Sequence, residues 1–135
     1  MADEKMFKLK IISPDRIFYE GEASMIELKT SEGEVGIYKN HIPMTMILVP
    51  GILRITEQDG VKEAALHAGF IEVLPEEVTI LAEIAEWPDE IDVNRAEEAK
   101  IRAQRRMTTS DPNINMVRAE IALKKSLVRL ELGKR

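Results

Sequence analysis

The sequence predicts an α+β protein: an N-terminal antiparallel β-sandwich over residues 1–87, then a C-terminal two-helix antiparallel hairpin over residues 88–135. Three observations predict it. Up to about Ala85 apolar residues alternate with a period of two, and after Trp87-Pro88 they recur with a period near 3.6. Turn-forming pairs punctuate the first part at near-regular spacing, the pattern of an all-β sandwich or flattened barrel. The charge divides at the same place. Residues 1–92 carry 8 Lys and Arg against 19 Asp and Glu, a net of −11, whereas residues 93–135 carry 11 against 5, a net of +6.

Five segments have the alternation of half-buried strands: Phe7–Ile11, Met25–Lys29, Ile52–Thr56, Phe70–Val73 and Val78–Leu81. Pro14-Asp15, Glu20-Gly21, Glu32-Gly33, Pro50-Gly51, Asp59-Gly60 and Pro75-Glu76-Glu77 supply the turns between them. Pro88 then discourages a further strand, and Asp92 is placed to cap a helix starting at Val93. Val93, Ala96, Ala99 or Lys100, Ala103 and Met107 fall on one stripe of that helix. A polar loop over 108–113 interrupts the pattern. Asn115 can cap a second helix, whose stripe runs through Met116, Ala119, Leu123, Leu127 and Leu130. Two helices joined by a short loop fold back on each other. An alanine-lined stripe buries little area, at roughly 0.8 kcal/mol per buried methylene, against roughly 1–2 kcal/mol for ordering each residue. The hairpin's hold on the sandwich is therefore expected to be marginal.

Composition excludes several classes. The chain has no cysteine, which rules out disulfides and thiolate chemistry and fits a reducing cytoplasm. Residues 1–5 lack a basic and apolar leader, and the longest mostly apolar run, 42–53, falls short of the roughly 20 residues a membrane helix needs. There is no Gly-rich phosphate loop, no Gly-x-Ser-x-Gly elbow and no His-Glu-x-x-His. His41 and His67 lie in separate segments, without a ligand set to complete a metal site. The basic tail has no interleaved aromatic residues on which bases could stack, so nucleic acid is not an expected partner.

Two stretches rise above this background. Ser31–Pro43, reading SEGEVGIYKNHIP, describes a tight turn and a projecting loop with apolar residues at its edge. It reads as a Pro-ended hairpin, or as a surface that docks a protein. The second is the pair of basic helices. Arg95 and Arg102 could face Lys125 and Arg129, with the carboxylates of Glu86 and Asp92 near the start of the first helix. Such a cluster could hold a polyphosphate and a ribose or base without a glycine loop. Two solvated basic faces are the plainer alternative on spacing alone.

GEVGIYKNHIP, GFIEVLPEEVTILAE and IDVNRAEEAKIRAQRR, in that order, closely resemble the epsilon subunit of bacterial F-type ATP synthases, and the similarity covers essentially the whole chain. The resemblance implies a sandwich of about ten strands packed on the gamma subunit, with its end resting on the ring of c subunits. Glu34, Tyr38, His41 and Ile42 would lie at that contact. It implies a non-catalytic rotor subunit, peripheral on the cytoplasmic face of the bacterial plasma membrane, that meets the membrane only through the c-ring. Catalysis would belong to the alpha and beta subunits of a proton- or sodium-driven complex.

The resemblance also gives the tail a role. Extended, its basic helices would reach acidic segments of the beta subunits through Lys100, Arg105, Arg106, Lys124 and Lys125 and restrain ATP hydrolysis. No cofactor is required, but ATP is implied as a regulatory ligand of the folded hairpin. The motif is Ile91-Asp92-Val93-Asn94-Arg95-Ala96, with Glu86 upstream and Arg102 and Arg129 beyond it. Lys125 stands where ATP-binding relatives have arginine, which removes a bidentate phosphate fork. Ala68-Gly69 replaces a usual Gly-Gly pair, a change a strand absorbs if the backbone angle at Ala68 is negative.

Overall fold

The computed structural model describes residues 5–109 and 111–133. Residues 1–4, on which the expected absence of a leader rests, lie outside the described residues, as does position 110 in the expected polar loop. Eight strands come first: β1 (Phe7–Ser13), β2 (Arg16–Ala23), β3 (Met25–Thr30), β4 (Gly33–Tyr38), β5 (Met44–Leu48), β6 (Gly51–Thr56), β7 (Val61–Val73) and β8 (Glu77–Glu86). A 3-10 turn (Pro88–Glu90) leads into α1 (Val93–Thr108) and α2 (Met116–Gly133). All five expected strands lie within observed ones.

The sheet runs in the order β2-β1-β8-β7-β5-β3-β4, and β6 bridges β3 and β7. β3, β6, β7 and β5 therefore close a ring, which folds the sheet on itself into two layers. Strand pairing is antiparallel except between β1 and β8. Inward positions of each strand fill the space between the layers, with Leu9, Ile11, Ile26, Leu53, Ile71 and Ile80 all fully buried.

The resemblance implies about ten strands; among the described residues there are eight, because β7 serves twice. Its first half pairs with β6 through Leu66, and its second half pairs with β5 from Gly69 onward. The exchange of partners happens at Ala68-Gly69, where φ is +59° and +128°. The condition of a negative angle at Ala68 is thus not met. Turning the strand from one layer to the other needs two successive left-handed residues, and Ala68 accepts the conformation at a cost of roughly 1–2 kcal/mol. Gly69 has no alternative, since a Cβ there would run into the Leu81 carbonyl oxygen.

The first half of β7 departs from alternation: Ala64, Ala65, Leu66 and His67 are all buried. Ala64 and Leu66 belong to the sandwich core. Ala65 and His67 point the other way, toward the helices, because successive side chains alternate faces. α2 lies across β6, β7 and the 3-10 turn, and α1 packs mainly on α2. The hairpin is therefore attached through its second helix.

Both expected caps are present. Asp92 Oδ1 accepts from the Arg95 amide at 3.1 Å, and Asn115 Oδ1 accepts from the Arg118 amide at 3.1 Å. On α1 the buried residues are Ala96 and Ala103, from the expected stripe. The α2 stripe needs correction. Ala119 and Leu130 are buried, but Met116 and Leu127 stand 43% and 46% exposed, and Ser126 and Leu132 are buried instead. The seam follows 119, 126 and 130, spaced by seven and four residues, positions that recur on one face of a helix. Ser126 enters it because its hydroxyl donates to the Ala122 carbonyl at 2.9 Å.

Candidate functional site

Glu86, the last residue of β8, pairs with Ala65 in register, so its side chain shares the helix-facing side of the sheet. Its Oε1 accepts from Arg129 Nε of α2 at 2.8 Å and lies 3.1 Å from His67 Nε2 of β7. A carboxylate cannot donate, so Nε2 carries the proton of this bond. His67 is fully buried, and among the described residues nothing hydrogen-bonds Nδ1. Burial pushes the Glu86 carboxyl up, but hydrogen bonds from His67 and Arg129 outweigh it and hold it below the usual carboxylate range.

Of the other residues expected around a nucleotide, Asp92 is engaged in its cap and Ala96 is buried between the helices. Ile91 packs at the C-terminal end of α2, where its side chain lies 3.1 Å from the position a Cβ on Gly133 would take. Arg95 and Arg102 are exposed. Lys125 lines an open groove of about 560 Å³ with Arg106 and Arg118, not with Arg95, Arg102 or Arg129. The structure thus brings Glu86 and Arg129 together as an ion pair, and places Lys125 in a groove lined by neither Arg95, Arg102 nor Arg129. Of the expected basic face, Arg105, Arg106 and Lys124 are exposed, and Lys100 lies 3.6 Å from Glu97 one turn earlier.

β4 is an edge of the sheet. Glu34 and Tyr38 lie on its exposed side, and His41 and Ile42 continue from its end, Ile42 being 72% exposed. Asn40 takes a left-handed turn at φ +65°, and its amide donates to the Pro75 carbonyl at 2.7 Å. That bond seats the β4–β5 loop beside the β7–β8 turn. Tyr38, Ile42, Met44 and Leu74 consequently form one exposed apolar end, with Glu34 four residues, about 13 Å, back along the edge.

A second apolar surface escaped the sequence reading. Ile47 pairs with Phe70, Phe70 with Leu81, Leu81 with Ile12, and Ile12 with Ile17. Directly paired residues point to the same side of a sheet. These five side chains make one row across β5, β7, β8, β1 and β2, and all except the half-buried Ile12 are exposed. Of the five, only Phe70 and Leu81 fall in segments whose alternation marks a strand, and the register alone aligns the row.

Comparison with known proteins covers both halves of the chain. The family model of the ATP synthase delta/epsilon chain β-sandwich domain matches residues 6–88, and that of the delta/epsilon chain long α-helix domain matches residues 89–133. The chain is 46% identical over 129 residues to an ATP synthase epsilon chain of Clostridium novyi, spanning 95% of this chain and 98% of the relative. It is 42% identical to that of Caldanaerobacter subterraneus over 131 residues, 96% of this chain and 95% of the relative. Among solved structures it resembles a chain of the Euglena gracilis mitochondrial ATP synthase, with a TM-score of 0.83 and 25% identity, covering 96% of this chain and 82% of that one. A chain of the Tetrahymena thermophila mitochondrial ATP synthase shares the fold at a TM-score of 0.57 and 15% identity, with coverage of 95% and 93%.

Proposed function

The chain belongs to the ATP synthase epsilon-chain family, and from that premise we propose that it is a non-catalytic central-stalk subunit whose hairpin detaches to restrain ATP hydrolysis. The attachment of the hairpin carries this reading. α2 is the helix that reaches the sandwich, it does so across the small side chain of Ala65, and Arg129–Glu86 is a charged tie at the contact. The docked hairpin still exposes Ile101, Val117, Ile121 and Leu127. Apolar surface left in water and a thin grip together favour a second resting place on another subunit.

The same reading assigns the surfaces of the sandwich. The row from Ile47 to Ile17 suits the gamma subunit, and the end bearing Tyr38, His41 and Ile42, with Glu34 behind it, suits the c-ring. Contact with the membrane would be indirect, from the cytoplasmic face; among the described residues no helix is long and apolar enough to cross a bilayer. Extended, the tail would offer Lys100, Arg105, Arg106, Lys124 and Lys125 to acidic segments of the beta subunits. Truncation after Glu86 should raise the ATPase activity of the reconstituted complex, and unchanged activity would remove the inhibitory role.

ATP would stabilise the docked hairpin by binding Ile91, Asp92, Arg95, Ala96, Arg102 and Lys125, with Arg129 exchanging the Glu86 carboxylate for a phosphate. A dissociation constant near 1 mM corresponds to roughly 4 kcal/mol, comparable with a marginal docking energy. Calorimetric titration with ATP of the wild-type chain and of an Arg95→Ala, Arg102→Ala variant tests this. Heat lost in the variant supports it; no heat at millimolar ATP, or equal heat in both, removes it.

A further inference from the structure

The chain leaves the sandwich through Trp87–Glu90, and this exit is bound to β2. The Glu90 carboxylate accepts from both terminal nitrogens of Arg16, Nη1 to Oε2 at 2.9 Å and Nη2 to Oε1 at 2.7 Å. It also accepts the Trp87 amide at 2.9 Å, and the Glu90 amide donates to the Trp87 carbonyl at 3.0 Å. Arg16 Nη2 lies 3.5 Å from the Ala85 carbonyl, and the guanidinium stands 5.0 Å from the centre of the Phe18 ring. Phe18 in turn stacks on Trp87, centroids 4.2 Å apart at 17°, and Tyr19 meets the indole edge-on at 6.3 Å. An isolated surface pair is weak, but a bidentate pair inside a network with stacked rings holds its geometry.

One residue further on, the contacts change sides. Ile91 and Asp92 are extended, at φ −87° and −86°. Asp92 caps α1, and the Ile91 side chain lies against the end of α2 at Gly133. Glu90 is the last side chain bonded to the sandwich; the Ile91 amide still donates to the Pro88 carbonyl at 3.3 Å, and α2 also lies against the 3-10 turn, but the Ile91 side chain and all that follows it are held on the hairpin side.

Resting on the reading of a detachable hairpin, we infer that its pivot is the Ile91–Asp92 link, that Trp87–Glu90 remains on the sandwich when the helices leave, and that Arg16 is the residue that fixes this segment. The swing then separates Ile91 from Gly133 while Asp92 travels with the helix it caps. Pro88, with its φ locked, stiffens the segment on the sandwich side of the pivot.

The chain has no cysteine, so paired spin labels can be placed at Gln58 with Asp89, and at Gln58 with Gln104, in the full chain assembled into its rotary complex. Gln104 lies about 18 Å along α1 from Asp92, so a swing of about 60° moves it about 18 Å. With and without ATP, the 58–104 distance should show two populations separated on that scale, while the 58–89 distance shifts by less than about 3 Å. Arg16→Ala and Glu90→Gln should each give 58–89 a second population that follows 58–104. Movement of 58–89 together with 58–104 in the wild type overturns the pivot. An unchanged 58–89 distance in both variants overturns the part given to Arg16. A single 58–104 distance under every condition overturns the detachable hairpin itself, and the pivot with it.

Discussion

Arg129 Nε of α2 lies 2.8 Å from Glu86 Oε1 at the end of β8, on the oxygen that His67 Nε2 also reaches. One side chain from a neighbouring strand and one from a helix converge on this carboxylate, whose side chain is 22% exposed. Glu86→Gln keeps the shape but removes the charge, leaving Arg129 and His67 with a weaker acceptor. The expected loss is about 1–2 kcal/mol of docking free energy, the difference between a charged and a neutral hydrogen-bond partner. It should appear as amide exchange across α2 about 5–30 times faster, with exchange in β1 unchanged.

The same carboxylate sets a pH dependence. Its pKa is depressed in the folded chain from an ordinary 4.5, despite burial. A depressed carboxyl contributes stability above its unfolded value and loses it as pH falls through the folded value. Docking should therefore not vary with pH through Glu86 above about pH 4.5, and should weaken below it. Helical melting followed between pH 3 and 7 should show this acid limb in the wild type and a reduced limb in Glu86→Gln.

At the corner of β7, opposite outcomes are expected at adjacent positions. Ala68→Gly relieves a left-handed alanine worth roughly 1–2 kcal/mol and adds glycine's unfolded-state entropy, for a net gain of about 0.5–1 kcal/mol. Gly69→Ala drives a methyl group into the Leu81 carbonyl, and a loss of more than about 3 kcal/mol follows. Urea midpoints at constant slope measure both.

Leu130 and Leu127 separate docking from any role in the extended state. Leu130→Ala opens a buried seam and should cost about 2–3 kcal/mol, whereas Leu127→Ala should cost less than about 0.5 kcal/mol in the free chain. If the detached hairpin engages other subunits through its outer face, Leu127→Ala should nevertheless relieve inhibition of ATP hydrolysis in the complex. Thermal unfolding reads the first effect and the ATPase rate of the assembled enzyme reads the second.

Phe70→Glu tests the apolar row. Phe70 is 43% exposed and stands in the row between Ile47 and Leu81, so a charge there should change the melting temperature of the free chain little. It should abolish or strongly weaken co-assembly with the gamma subunit, since a buried unpaired charge is costly at an interface. Size-exclusion of the mixed subunits measures it.

Most of the fold was legible because its signals are local. Alternation marked β1, β3, β6 and the ends of β7 and β8, and Asp92 and Asn115 announced their helices by capping chemistry. β2, β4, β5 and the first half of β7 were not marked. In β7 the reason is specific: Ala64, Ala65, Leu66 and His67 have the core on one side and α2 on the other, and a strand buried on both faces does not alternate. The candidate site was half legible. Glu86 and Arg129 were both named, but their meeting, and the arrival of His67 at the same oxygen, depend on three segments far apart in the chain.

By itself the sequence determined the two-part architecture, the change of period at Trp87-Pro88, the division of charge and the family, since periodicity, turn chemistry and motif order all act over short distances along the chain. Tertiary structure decided which side chains share a surface: that five apolar residues line up across five strands, that Leu127 faces water while Ser126 is buried, and that Ala68 sits in a left-handed corner. These follow from strand register and helix rotation, which are fixed by how whole elements pack, and a shift of one residue in either would move every side chain to another face.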